Sequence, residues 1–351
     1  GTLRGGVCRD LFDTDDVFRR SLRRCDAILR EHMGVGASDL LYPGHVEADA
    51  SGSTAVRRLT EHEASEMLQD TRYSQPVLIA LELCLAEVWR SQGLFPEAVL
   101  GHSLGEFAAS VVAGVMSVED CLWLVCERGR LMSELSSRTA AQGCMVAIRG
   151  TEAEAVESIS RCGQSSCVSV GAVNGDKSIV LSGSRPGVMK VLARMNLSDA
   201  SQHRFLQVNQ GFHSPLMQGM VEDFRAALSK VTFRAPAVKM YSTVWGREVT
   251  AVSAESGRKI DVDYWIQHAL GTVRYFDASL LSGKELGKKY VEMGADSTLS
   301  RLVKTILTPR KIMVEAVDSA STKFAPCKQP YVLGIVPERK ERKPLDILPP
   351  A

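Results

Sequence analysis

The chain has 351 residues, 45% hydrophobic and 24% charged, which is enough for one large domain or two modest ones with a real core. Its 42 Lys+Arg against 41 Asp+Glu leave no basic field, so no nucleic-acid partner is expected. No apolar run approaches the roughly 18 residues of a membrane helix, the start GTLRGGVCRD lacks a signal-peptide core, and nine cysteines without a CxxC pair argue for free thiols, no metal site and a cytoplasmic setting.

In chain order, DDVFRRSLRRCDAILREHMG predicts an amphipathic helix with Phe18, Leu22, Cys25 and Leu29 on one face and Gly34 as its stop. Residues 35–75 read as polar and irregular. Pro76 is expected at the start of the helix PVLIALELCLAEVWRS, which is apolar nearly all round and therefore buried. A short strand at Ala98–Leu100 precedes a sharp corner and a second buried helix, LGEFAASVVAGVMS. Ser117 then opens the helix SVEDCLWLVCERGRLMSEL.

From about residue 142 the rhythm changes. CMVAIRG reads as a strand and EAEAVESISRC as a helix, while SCVSVGAVNG and KSIVLSG read as a hairpin around Asn174-Gly175. RPGVMKVLARMN is a helix and HRFLQV a last strand, which completes the β-α-β-β-α-β order of a ferredoxin-like unit. Next, SPLMQGMVEDFRAALSKV is expected as one helix, capped by Ser214 with Pro215 in its first turn. VKMYSTV and KKYVEMG are strands, DVDYWIQHAL is a helix, and CKQPYVLGIVPERKERKPLDILPPA reads as an interdomain linker.

The corner carries the chemistry. Strand, Gly101-His102-Ser103-Leu104-Gly105, helix is the pattern of a nucleophile elbow, with the Leu104 N–H placed to meet a developing oxyanion. A glycine-rich turn with an idle serine is the plain alternative, and the strand before and helix after weigh against it. A serine needs a base. Of the seven histidines, His32 and His62 lie in polar helical segments, His45 in a loop, His203 at a strand start, and His102 inside the elbow, pointing away from Ser103. His213 sits directly before a helix N-terminus, whose dipole should keep its ring neutral, and is the preferred base.

Arg128 has only apolar neighbours one turn away, Leu124, Val125, Leu131 and Met132, whereas Arg130 has Glu127 and Glu134. A distant structural carboxylate and an anionic ligand both fit such an arginine. The elbow nearby favours a substrate carboxylate held bidentately.

The ordered motifs GHSLGE at 101–106, RGRLM at 128–132, AVNG at 172–175, FHSPLM at 212–217 and VEMGADSTL at 291–299 resemble malonyl-CoA:acyl-carrier-protein transacylases. The likeness is greater to the acyltransferase domains of polyketide synthases, and it runs from residue 1 to about 318. The resemblance implies an α/β-hydrolase-like large subdomain, 1–140 with 209–318, a ferredoxin-like insert at 141–208, and a linker at 319–351. It implies that Ser103 is acylated, that His213 is its base, and that Arg128 clamps a malonyl carboxylate. Gln75 matches an active-site glutamine. Leu104 and Asn174 join the substrate side, and Phe212 fills the space an α-methyl would need. His268 occupies the position whose backbone carbonyl orients the histidine.

Malonyl-CoA is the expected substrate, with no cofactor held by the domain and phosphopantetheine supplied by an acyl carrier protein. Neighbouring synthase domains such as a ketosynthase are expected partners, and neither nucleic acid nor membrane is. The chain departs from the pattern in Gln210-Gly211. It also starts at the last glycine of a Gly-Gln-Gly loop that supplies a second oxyanion donor in the family, as a domain excised from a larger synthase would. Two other readings remain open. One is a serine hydrolase or thioesterase acting on acyl-CoA, with Asp176 or Asp199 as the acidic third member, although Arg128 would have no role on neutral acyl esters. The other is a non-catalytic scaffold domain.

Overall fold

The computed structural model describes residues 3–44, 59–138, 142–249, 259–286, 289–294, 296–312 and 314–318; the proposed linker at 319–351 and His45 lie outside them. Helix α1 (Arg9–Thr14) leads into α2 (Asp16–Met33), where Asp15 accepts from the Phe18 N–H and Gly34 takes the left-handed stop at φ 78°. Phe18, Leu22, Cys25 and Leu29 are all buried. The stretch read as irregular contains two helices, α3 (Ala37–Leu41) and α4 (Glu61–Gln69). The second opens on a Thr60/Glu63 capping box, a signal present in the sequence.

Helix α5 (Thr71–Ser91) begins ahead of Pro76, because Asp70 caps the Arg72 N–H at 2.9 Å. Pro76 is thus inside the helix, one turn past the position expected of it. Strand β1 (Ala98–Leu100) and α6 (Gly105–Val112) flank the corner, and α7 (Val118–Arg138) starts where Ser117 caps the Asp120 N–H. Helices α2, α5, α6 and α7 share the main hydrophobic core.

Strand β2 (Gly143–Ile148), α8 (Glu152–Arg161), β3 (Val168–Gly175), β4 (Ser178–Ser184), α9 (Arg185–Arg194) and β5 (His203–Phe205) form the small unit. Its sheet is antiparallel throughout, in the order β3-β4-β2-β5, and Val146, Ile159, Leu181 and Val188 pack in its own core beneath α8 and α9. Gly175 pairs with Ser178, so the hairpin turns at Asp176-Lys177 and not at Asn174-Gly175. Asn174 stays in the strand, inside a register shift.

The segment after His213 splits: Pro215–Met220 is a 3-10 helix, and α10 (Val221–Leu228) follows. Strand β6 (Lys239–Ser242) lies parallel to β1 and antiparallel to β7 (Arg247–Val249). Helices α11 (Val262–Leu270) and α12 (Tyr275–Glu285) precede β8 (Lys289–Glu292), α13 (Thr298–Leu307) and β9 (Glu315–Asp318), which pairs with β8 in parallel. The whole is mixed α/β, an α/β-hydrolase-like part with a ferredoxin-like one. Among the described residues no helix is long and apolar enough to cross a membrane.

Candidate active site

Strand β1 ends at Leu100 and α6 begins at Gly105, leaving four residues to reverse the chain. A Cβ on Gly101 would lie 2.2 Å from the Glu106 amide nitrogen, so only glycine lets strand and helix meet this closely. Gly105 is under no such constraint, since its Cβ would meet only the Glu82 carboxylate at 3.7 Å. Ser103 takes φ 51°, a left-handed conformation uncommon for a residue with a side chain, and this lifts its hydroxyl out of the turn. Its carbonyl accepts from the Glu106 N–H at 2.9 Å. The Leu104 N–H has no acceptor among the described residues and remains free to meet an anion.

His213 Nε2 lies 2.5 Å from Ser103 Oγ, and Nδ1 lies 3.0 Å from the Gly271 carbonyl oxygen. A carbonyl can only accept, so Nδ1 carries the proton and Nε2 offers its lone pair to the serine hydroxyl. Burial pushes the ring well below the ordinary histidine range, and the neighbouring His268 and Arg128 push it the same way. The neutral state expected from a helix dipole is therefore produced by desolvation; the element that follows is a six-residue 3-10 helix.

A cleft of about 170 Å³ opens beside Ser103, lined by Leu104, Gln75, Arg128, Phe212, Thr71 and Leu78 among others. Arg128 is 3% exposed, and no carboxylate lies within ion-pair distance of it among the described residues. Burial lowers its pKa to about 10, so it stays cationic at neutral pH. Nη1 donates to Gln75 Oε1, Nε has no partner among the described residues, and the guanidinium lies 6.0 Å from the Phe107 ring centroid. Gln75 Nε2 in turn donates to Thr71 Oγ1 and lies 3.4 Å from Met132 Sδ. A buried cation held by a neutral amide is arranged to receive an anion from the cleft.

Asn174 and His268 do not line that cleft. Asn174 Oδ1 accepts from His102 Nε2 at 2.8 Å, so it orients the histidine next to the nucleophile in sequence. His268 does not orient His213 through its carbonyl: Gly271, after the end of α11, supplies that oxygen. The His268 side chain donates from Nε2 to the Ser103 carbonyl at 2.9 Å. Beneath it Glu106, its carboxyl pushed up to about 8 by burial, accepts from Tyr264 Oη, Thr243 Oγ1 and the Thr243 N–H at 3.2 Å.

The acidic third members considered for a hydrolase are elsewhere. Asp176 pairs with Arg310 on the surface, and Asp199 accepts from the Ser201 N–H at 2.9 Å. No sequence signal marked Gly271, because a backbone carbonyl is available from every residue. Thr71 could have been found as the residue one helical turn before Gln75.

The acyl transferase domain family matches residues 1–326 of the chain. The chain belongs to this family. Polyketide synthase GfsA of Streptomyces halstedii is 34% identical over 308 residues, 88% of this chain and 4% of that protein. The acyltransferase domain from the second module of the salinomycin polyketide synthase superposes with a TM-score of 0.74 at 30% identity, covering 90% of this chain and 66% of that one. An acyl carrier protein S-malonyltransferase from Vibrio cholerae gives a TM-score of 0.72 at 25% identity, with 91% and 93% covered. The chain thus spans a small fraction, 4% and 13%, of the first two curated relatives.

Proposed function

We propose that this acyltransferase domain moves a malonyl group from malonyl-CoA to the phosphopantetheine thiol of an acyl carrier protein, through a malonyl ester on Ser103. The carrying observation is the pairing of an activated serine with an uncompensated arginine across one cleft. In the first half-reaction His213 Nε2 takes the Ser103 proton as Oγ attacks the thioester carbonyl. The Leu104 N–H donates to the oxyanion, and the proton passes to the departing CoA thiolate. In the second, the same nitrogen takes the proton of the carrier's thiol, the new thioester forms, and the proton returns to Ser103 Oγ.

Arg128, held by Gln75, binds the malonyl carboxylate, and Phe212 closes the space beside the α-carbon. The two half-reactions share one site, so substrates and products alternate in it. The malonyltransferase and polyketide synthase relatives support this reading, and with it a carrier protein and adjoining synthase domains as partners. Intact mass after incubation with labelled malonyl-CoA should show a gain that maps to Ser103, is lost on adding a carrier protein bearing phosphopantetheine, and is absent in Ser103→Ala. Release of label to water at the same rate with and without the carrier would make the domain a thioesterase.

A further inference from the structure

The loop that bears His213 lacks the support that backbone pairing would give it. Three consecutive carbonyls, those of Gly211, Phe212 and His213, receive no backbone N–H among the described residues. Each instead accepts from a serine hydroxyl: Gly211 from Ser214 at 2.6 Å, Phe212 from Ser182, and His213 from Ser169 at 2.6 Å. Ser169 on β3 and Ser182 on β4 are cross-strand partners in the small sheet. One pair of neighbouring side chains therefore grips two successive peptide units of the loop.

We infer that Ser169 and Ser182 are positioning residues for the general base, through which the small sheet sets the His213–Ser103 geometry. The inference rests on the dyad proposed above. Three features favour positioning over incidental packing. His213 holds φ 58°, a left-handed backbone that its neighbours must impose. The loop approaches the sheet too closely for side chains, since a Cβ on Gly211 would lie 3.0 Å from the Gly183 backbone.

The third feature is that the same sheet also holds the carbonyl that orients the ring. Gly271 is followed at once by a segment stitched to β3 by three bonds: Thr272 Oγ1 to the Val170 carbonyl at 2.7 Å, Val273 N–H to Gly171 at 3.0 Å, and Val173 N–H to Val273 at 2.9 Å. Base and orienting carbonyl are thus both referenced to β3, while the nucleophile is built on β1 and α6. A small displacement of the small sheet would move the His213 ring and the Gly271 carbonyl that orients it together, relative to Ser103. Rate should respond steeply to such a shift, because reaction needs the heavy atoms in near-attack positions.

The test uses an isosteric pair. Ser169 is half-buried on a strand, where Thr and Val are both well tolerated and differ by the hydroxyl alone. Ser169→Val should slow acylation of Ser103 by malonyl-CoA about tenfold, with Ser169→Thr near the wild-type rate. In a His213→Ala background, Ser169→Val should cause no further loss, since the serine acts through the base. Equal slowing by Thr and Val, or a full additional loss in the His213→Ala background, would overturn the proposal. A His213→Ala variant as fast as wild type would remove the dyad reading itself, and this inference with it.

Discussion

Ser103 stands on a corner shaped largely by its own neighbours in sequence: Gly101 permits it, and the Glu106 N–H three residues on closes it. His213 stands on a loop held by Ser182, 30 positions from the Phe212 carbonyl it binds, and by Ser169 and Gly271, 44 and 58 positions from His213 itself. The nucleophile's corner is mainly a local motif, with one long-range bond from His268 to the Ser103 carbonyl, whereas the base is a product of assembly. Local construction tolerates change elsewhere in the fold; assembled construction transmits it. The two halves of one reaction therefore depend on the chain in different ways, and substitutions on either side can measure the difference.

The largest effect belongs to the assembled side. His213→Ala should slow acylation by roughly 10²–10⁴-fold, the worth of a positioned general base. In the wild type, burial holds the ring well below the usual range. A base with a depressed pKa remains unprotonated as pH falls, so acylation should stay level from about pH 8 to about pH 6, where a histidine of ordinary pKa, about 6.5, would lose most of its activity. An acylation rate that falls with a midpoint near 6.5 would show the ring to be solvated and the loop looser than its hydrogen bonds indicate.

This contrast also sets what the sequence could reveal. The elbow is legible because a strand, a glycine-spaced serine and a helix must be contiguous to make the turn. Arg128 is legible because helical spacing exposes its apolar neighbours. The ferredoxin-like order is legible because period-two and helical stretches alternate cleanly over residues 142–208. What is hidden depends on contacts across the chain or on backbone atoms. Gly271 contributes a carbonyl, which no residue type advertises. Ser169 and Ser182 look like ordinary strand serines until the hairpin pairs them. Asn174-Gly175 carries the strongest turn signal in its region, yet the register shift keeps Asn174 in the strand, where it meets His102. Pro76 lies inside its helix and not at its start, because Asp70 caps the helix a turn earlier.

On the cleft side, Arg128→Ala should cost malonyl transfer about 3–5 kcal/mol of transition-state binding, the usual loss when one member of a buried charge pair is removed. Acetyl-CoA loses no partner, so the variant's preference between the two thioesters should shift by the same amount. Competition read by intact mass checks this, and an unchanged preference would make Arg128 a structural residue of the α5–α7 contact.

The two elbow glycines should separate clearly in stability. Gly101→Ala forces a Cβ into the α6 backbone and should destabilise the fold by about 3 kcal/mol, at the upper end of overpacking effects. Gly105→Ala should change stability by no more than about 1 kcal/mol, in the direction set by helix propensity. Denaturant midpoints measured at constant m-value would test the pair. Similar losses for both would mean that the corner depends on glycine flexibility and not on close approach.

The smallest effect tests how the assembled loop shapes selectivity. Phe212 is among the residues lining the cleft, and its carbonyl is held by Ser182. Because the backbone is fixed from the small sheet, removing the ring should open space beside the α-carbon without letting the loop collapse into it. Phe212→Ser should therefore admit methylmalonyl-CoA, by no more than the roughly 1–3 kcal/mol that a methyl-sized difference is worth in an apolar pocket. Malonyl transfer should be little changed, since Arg128 and His213 retain their partners. Competition between malonyl-CoA and methylmalonyl-CoA for Ser103 gives the ratio directly. A ratio that shifts in Phe212→Ser but returns to the wild-type value when Ser182→Ala is added would show that the grip on the Phe212 carbonyl, and not the ring's volume alone, keeps the space open. A ratio unmoved by either substitution would mean that the ring does not face the α-carbon.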